Sequence, residues 1–502
     1  MENVRTFNEK GHPKGLYVLF ATEMWERFNY YGMRAILVLF MTKALLFDKV
    51  FASNLYGSYT GLVYITPLIG GYVSDRFWGN QRSIIAGGLV MAIGELLLFF
   101  CSMFYHSAPQ LSTLLFFSGL GLMISGNGFF KPNISSMVGQ LYPKGDKRLD
   151  AAYTIFYMGI NVGGAFGPLL CGFFGDTGNP GDFKWGFLTG CIAMLIGVVV
   201  QIMFHHKYVK DPVGKTLGLT PADTPAIALK PFTIIGGLIL FSFVTIGLIY
   251  IDAKVFNYLF YLLIASVTFI AFIIFSDKSL SSSEKTKVSV IFIVSFFVIF
   301  FWSAFEQAGA SLTFFADEQT NRNLGFFTVP ASWFQSLNSV FVVSFAPIFA
   351  WLWLKLGKHE PSSPTKMAIG LMLLAIGYLW IAFGVKNVQP GIKVSMIWLT
   401  GMYALHTCGE LCLSPIGLSL VNKLAPLKFA SLLMAVWFTA NAFANKFAGV
   451  LSSLYPDNKS TNFLGIYEMS NLYSFFMLFV FMAGIASIIL FLLTKKLQKM
   501  MQ

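Results

Sequence analysis

The sequence predicts an all-α integral membrane protein with fourteen transmembrane helices, and three observations predict it. The composition is the first: of 502 residues, 56% are apolar and 17% aromatic, only 12% are charged, and the mean hydropathy is +0.67. A soluble core does not carry 54 Phe on so little charge. The second is spacing. Nearly charge-free stretches of about 20 residues, the length that crosses a bilayer as a helix, recur at 15–46, 52–75, 83–104, 110–141, 149–175, 185–205, 231–251, 255–275, 287–315, 327–356, 365–385, 393–423, 427–453 and 470–494. The third is charge asymmetry. With residues 1–14 as a cytoplasmic tail, 23 Lys and Arg fall in the tails and cytoplasmic loops, 8 fall on the opposite side and 4 lie within spans. By the positive-inside rule both termini are expected in the cytoplasm. The net charge of +12 is spread in short clusters between apolar runs, so it reads as a topology signal and not as a nucleic-acid surface.

Span one holds the residues around which the rest is organised. At about 100° per residue, Glu23, Glu26, Arg27, Tyr30, Tyr31 and Arg34 share one face, leaving Phe28, Met33, Ile36 and Leu37 for packing. An ionised group near a bilayer centre costs between about 3 and 15 kcal/mol. Four in one helix must therefore pair and face a polar cavity. The residues alone admit a buried ion-pair staple or ion-pathway chemistry; two carboxylates, two guanidiniums and two phenols are more than a staple needs. The pattern ExxERFxYYG (Glu23 to Gly32) resembles the proton-dependent oligopeptide transporter family (POT or PTR), of the major facilitator superfamily, at every fixed position.

After span two comes Gly71-Tyr-Val-Ser-Asp75-Arg76-Phe-Trp-Gly79-Asn-Gln-Arg82. It is similar to the major facilitator loop signature GxxxDRxGxR with one extra residue, and Asp75 is expected to cap a neighbouring helix. Spans three and six offer little chemistry: Glu95 shows no partner or motif, and His205-His206 lies at the cytoplasmic edge without carboxylates. In span four, Lys131 of Phe129-Phe130-Lys131-Pro132-Asn133 sits mid-span, too deep to snorkel easily. Its ammonium needs a carboxylate, either Glu26 or one on a substrate, and Pro132 is expected to loosen the helix ladder there. In span five, Phe156-Tyr157-x-x-Ile160-Asn161-x-Gly163 resembles the family signature FYxxINxG. Asn161 alone would serve as interhelical glue or as a cavity donor.

Spans seven and eight (231–275) read as an inserted hairpin outside the pathway, with no intramembrane charge and only Ile251 to Lys254 between its helices. Span nine carries Phe301-Trp302-x-x-Phe305-Glu306-Gln307, which matches the family's FWxxFEQ, and Glu306 is the only charge between Lys287 and Asp317. Span twelve carries Gly409-Glu410 and Ser414-Pro415, with Glu410 equally alone. An offset of 283 residues relates Gly126, Pro132 and Glu23 to Gly409, Pro415 and Glu306, a weak internal repeat of the kind that underlies two-half transporters. His406, and Cys408 with Cys412, are expected to be packing residues, and Lys446 to lie within reach of the interface of span thirteen.

These resemblances run from Glu23 to about Ala448 and imply a major facilitator fold: a six-helix bundle at 15–206, a linker and hairpin at 207–286, a second six-helix bundle at 287–494 and a tail at 495–502. They imply a proton-coupled symporter of di- and tripeptides, without cofactor or metal, in the cytoplasmic membrane of a prokaryote. Arg34 and Lys131 would meet the peptide carboxylate, and Glu410, Asn161 and Asn338 its amino terminus. Tyr30, Tyr31, Tyr64, Trp302 and Trp437 would shape side-chain pockets, with Ser414 nearby. Glu23, Glu26, Arg27 and Glu306 would couple protons and gate. Span two lacks the His of animal members, so carboxylates must carry the coupling. The nearest alternative, a carrier of nitrate or another organic solute, is disfavoured by the intact ExxER carboxylates. A membrane hydrolase would want Ser–His or HExxH, and no HExxH occurs. A peptide receptor would not need proton-linked carboxylates.

Overall fold

The computed structural model describes residues 11–501, apart from 144, 222–223, 226–227, 229, 256–257, 389–390 and 458–459 and the side chains of 231, 254–255, 414–416, 418–419, 422, 427 and 431. The helices are α1 (Lys14–Lys43), α2 (Lys49–Val73), α3 (Asn80–Phe104), α4 (Pro109–Gln140), α5 (Leu149–Gly175), α6 (Phe183–Tyr208), α7 (Pro231–Val255), α8 (Tyr258–Ser276), α9 (Ser282–Phe305), the short α10 (Ser311–Glu318), α11 (Ser336–Leu356), α12 (Ser363–Val385), α13 (Met396–Leu424), α14 (Ala430–Ser452) and α15 (Leu472–Met501). Every predicted span coincides with one long helix, α10 completing the ninth. Among the described residues ten spans are long and apolar enough to cross a membrane. Helices α1, α2, α13 and α14 are not among the ten, and they carry Glu23 to Arg34, Ser58, Glu410 and Lys446. Strands are confined to loops: β1 (Thr320–Asn321) pairs in parallel with β2 (Val394–Ser395), and β3 (Thr461–Phe463) pairs antiparallel with β4 (Tyr467–Met469).

By contact the chain divides into two units, Met1–Leu45 with Ile65–Tyr250, and Leu46–Tyr64 with Ile251–Gln502. In the first, α1 packs on α5 and α6, and α3 on α4 and α6. Small residues permit this: a Cβ on Gly163 would lie 2.8 Å from the Cβ of Arg27, so the glycine of the INxG motif lets α5 lie directly against the charged turn of α1. In the second unit, α12 packs on α13 and α15, and α9 on α14.

One expectation changes here. Asp75 is exposed and does not cap α3: the chain after Val73 takes a wide turn over Ser74–Trp78, and α3 begins at Asn80, after Gly79, with no side-chain cap. Gly79 has φ +75° and lies under the linker at Gly218 and Leu219, so the loop signature's glycine is required by backbone conformation and by close approach. Pro132 lies inside α4, which runs on to Gln140 although Pro132 has no N–H to give the ladder, and Asn133 Nδ2 donates to the Phe129 carbonyl at 2.6 Å.

Candidate functional site

In the first unit the charged turn of α1 is buried, and its groups are joined. Arg27 Nε donates to Glu23 Oε1 at 2.7 Å and lies 3.2 Å from Glu26 Oε2. The i, i+4 spacing of Glu23 and Arg27 sets the first pairing. Asn127 Nδ2, from α4, donates to Glu26 Oε1 at 2.8 Å. Arg27, Glu23 and Lys131 are the charges acting on the Glu26 carboxyl, so Lys131 of α4 belongs to the same cluster. One turn further on, the rings of Tyr30 and Tyr31 meet edge to face at 5.3 Å, and the Arg34 guanidinium sits 5.4 Å from the Tyr31 ring. Asn161 is buried on α5, but its amide donates back to its own helix at Tyr157 O, 2.9 Å away.

In the second unit Glu410 of α13 and Glu306 lie close enough for their charges to interact. Glu306 sits where α9 ends: the α-helical ladder stops at Phe305, and residues Glu306–Gly309 form one tighter 3₁₀ turn before α10. Asn338 Nδ2 donates to Glu410 Oε2 at 2.8 Å and to Thr407 Oγ1 at 3.2 Å. Trp302 packs edge-on against Phe305 at 5.2 Å, and Trp437 is buried against Gly417. Tyr64 is half-buried near the end of α2's share of this unit. The Ser414 side chain lies outside the described residues.

Asn127, Thr407 and Asn29 are the polar partners that sequence reasoning missed. Asn127 had a usable signal: it stands four residues before Lys131 on one helix face, and so reaches the carboxylate expected for that lysine. Glu95, expected to lack a partner, accepts from Asn29 Nδ2 at 3.0 Å, and the same amide reaches Gly190 O at 3.0 Å. His406 is packed as expected, 4.7 Å from the Tyr378 ring. Among the described residues no group of three His, Cys, Asp or Glu could hold a metal.

The hairpin departs most from expectation. Helix α7 continues through Asp252, which is buried, and its carboxylate takes an ion pair from Lys446 Nζ at 2.6 Å. Lys446 is fully buried inside the protein. Ser58 of α2 bonds the same carboxylate, and Leu259 N donates to Asp252 Oδ1 at 3.0 Å. A lone ammonium buried this fully is expensive, and an acid from the hairpin offsets it.

Comparison with known proteins bears on all of this. The sequence model of the POT family matches residues 81–469. The chain is 37% identical over 468 residues to the uncharacterized transporter YclF of Bacillus subtilis, covering 91% of this chain and 90% of that one. It is 35% identical over 465 residues to the peptide transporter YePEPT of Yersinia enterocolitica, 88% of each chain. It is 30% identical over 460 residues to dipeptide and tripeptide permease A of Escherichia coli, covering 90% of this chain and 87% of that one. The fold superposes on the crystal structure of a mutant peptide transporter POT in complex with alafosfalin, with TM-score 0.81, 31% identity and 98% and 96% of the two chains covered. A POT family transporter in complex with 5-aminolevulinic acid gives TM-score 0.81 at 29% identity, covering 97% of each chain.

Proposed function

The chain belongs to the POT family of transporters, and on that premise we propose that it is a proton-coupled symporter importing di- and tripeptides by alternating access. It is a multi-pass membrane transporter of the major facilitator fold and not an enzyme. The finer assignments are ours. They are two six-helix halves with an inserted hairpin, a place in the cytoplasmic membrane of a prokaryote, both termini in the cytoplasm, and the proton gradient as sole driving force with no cofactor.

One observation carries the coupling: two buried carboxyls, Glu23 and Glu26, share the single Arg27 guanidinium, with Lys131 acting on Glu26. When Lys131 balances Glu26, all four groups are ionised and the cluster is neutral. When a peptide carboxylate draws Lys131 and Arg34 to itself, the remaining two carboxylates exceed Arg27 by one negative charge. A proton on Glu26 restores neutrality, so a peptide carboxylate and a proton favour the same state. At the other end of the substrate, Glu410, Asn338 and Asn161 take the amino terminus; the hydrogen bond from the neutral Asn338 amide to Glu410 supports this. Tyr30, Tyr31, Tyr64, Trp302, Trp437 and Ser414 shape the side-chain pockets, and Glu306 couples and gates. Uptake into proteoliposomes, with and without an inside-alkaline gradient and over a panel of di- and tripeptides, nitrate and free amino acids, tests the assignment. Gradient-driven peptide accumulation is expected. Nitrate accumulation without peptide uptake would establish the alternative substrate class.

A further inference from the structure

We infer that the inserted hairpin builds a binding site for an anionic glycerophospholipid, whose acyl chain fills a groove between α8, α9 and α14. This goes beyond peptide transport and does not depend on it. Helix α8 is held to its neighbours at both ends. At one end the Asp252–Lys446 ion pair anchors the hairpin tip on α14, and the Phe260 ring packs tilted against Phe443 with centroids 4.9 Å apart. At the other, Lys428, just before α14, pairs with Asp277, just after α8, at 2.5 Å, and Phe275 packs on Phe292 of α9 at 5.9 Å. Phe260 and Phe275 are fifteen residues apart, roughly 22 Å of helix. Over that length α8 stands off, and a cavity of about 270 Å³ remains. Its walls are apolar, formed by residues such as Leu263, Phe292, Val436 and Phe443, and Thr439 turns its hydroxyl onto its own helix at Ala435 O. Ile264, Thr268 and Phe296 of its lining are exposed, so the groove opens on the outer surface of the helices, which in a bilayer is hydrocarbon. At ~30 Å³ per water-sized unit the space holds on the order of nine methylenes.

The charge at the groove's foot selects the headgroup. Phe292 lies seven residues, about 10 Å of helix, from Lys285. Lys285 donates to Phe275 O at 3.0 Å, Lys428 pairs with Asp277 two residues beyond Phe275, and Lys278 and Lys287 lie beside these residues in sequence. These four lysines face two acids, Asp277 and Glu284, which leaves a basic surface where a chain leaving the groove reaches the membrane–water boundary. Basic clusters at that level between transmembrane helices favour phosphate headgroups, each Lys strengthening the attraction about fivefold.

The test uses the full chain in phosphatidylcholine vesicles carrying a trace of phosphatidylglycerol with a photoactivatable acyl chain, crosslinked peptides being mapped by mass spectrometry. Labelling concentrated on 263–268, 292–299 and 436–443 is expected, over exposed lipid-facing residues such as Trp351 of α11. The same photoactivatable chain on phosphatidylcholine should label the groove less. Lys285→Ala should lower phosphatidylglycerol labelling by about fivefold. Thr268→Trp, at the exposed mouth where the fold tolerates it, should abolish labelling of the groove and leave that of α11. Uniform labelling of α8 and α11 would mean ordinary boundary lipid and overturn the site. Equal labelling by the two headgroups would overturn the basic foot, and labelling undiminished in Thr268→Trp would overturn the groove.

Discussion

Lys446→Met should destabilise the protein by about 3–5 kcal/mol, and Asp252→Leu on the same background should restore most of that loss. Lys446 is 0% and the Asp252 side chain 5% exposed, and their 2.6 Å contact amounts to about 6 kcal/mol of Coulomb attraction at an effective dielectric of 20. Removing the ammonium leaves a buried carboxylate with, among the described residues, the Ser58 hydroxyl and the Leu259 N–H as donors. Neutral donors do not offset the desolvation of a full charge. Removing both charges takes away penalty and attraction together, so the pair should show a coupling near the full single-variant loss. The chain reports its own unfolding: Cys101, Cys171, Cys191 and Cys412 are buried free thiols. A thiol-reactive fluorophore followed on heating gives apparent transition temperatures for wild type, both singles and the double. The reasoning fails if Lys446→Met melts with wild type, or if the double loses as much as the two singles added together.

Other outcomes follow from the same contacts. Gly163→Val forces α5 off the Arg27 turn, at a cost of about 1–3 kcal/mol; it should impair gradient-driven uptake more than Gly175→Val, which adds bulk near Gly186 far from the charges. A C-terminally amidated dipeptide should compete about ten- to a hundredfold less well than the free acid, the worth of a charged hydrogen bond or two. Lys131→Gln should erase that difference, and equal competition by both peptides in wild type would reverse the proposed polarity. Glu410→Gln should weaken peptides with a free amino terminus by a similar factor and leave N-acetylated peptides unchanged. Loss of both would make Glu410 structural.

The spans were legible because hydropathy over about 20 residues is a one-dimensional signal. The motifs were legible because α-helical spacing places Glu23 and Arg27 within reach of each other whatever the tertiary fold. Long-range pairing was not. Asp252 and Lys446 lie 194 residues apart; read singly, one looked like a loop acid and the other like an interfacial base. The turn that places Glu306 was also hidden, because the run from Val288 to Ala316 carries no Pro to mark a break and Glu306–Gly309 interrupts it for only one turn. Asp75 misled for a local reason: the wide turn at Ser74–Trp78 puts Gly79, and not the acid, at the start of α3.

The central claim is that the Glu23–Arg27–Glu26 cluster couples the proton to the peptide. The direct measurement is dipeptide transport by Glu23→Gln and Glu26→Gln variants in proteoliposomes, in two modes on the same preparation. Concentrative uptake driven by an inside-alkaline gradient should vanish, while exchange of labelled for unlabelled peptide at equal pH should persist, since exchange needs binding and rocking but no net proton movement. Gradient-driven accumulation that survives in both variants would contradict the account.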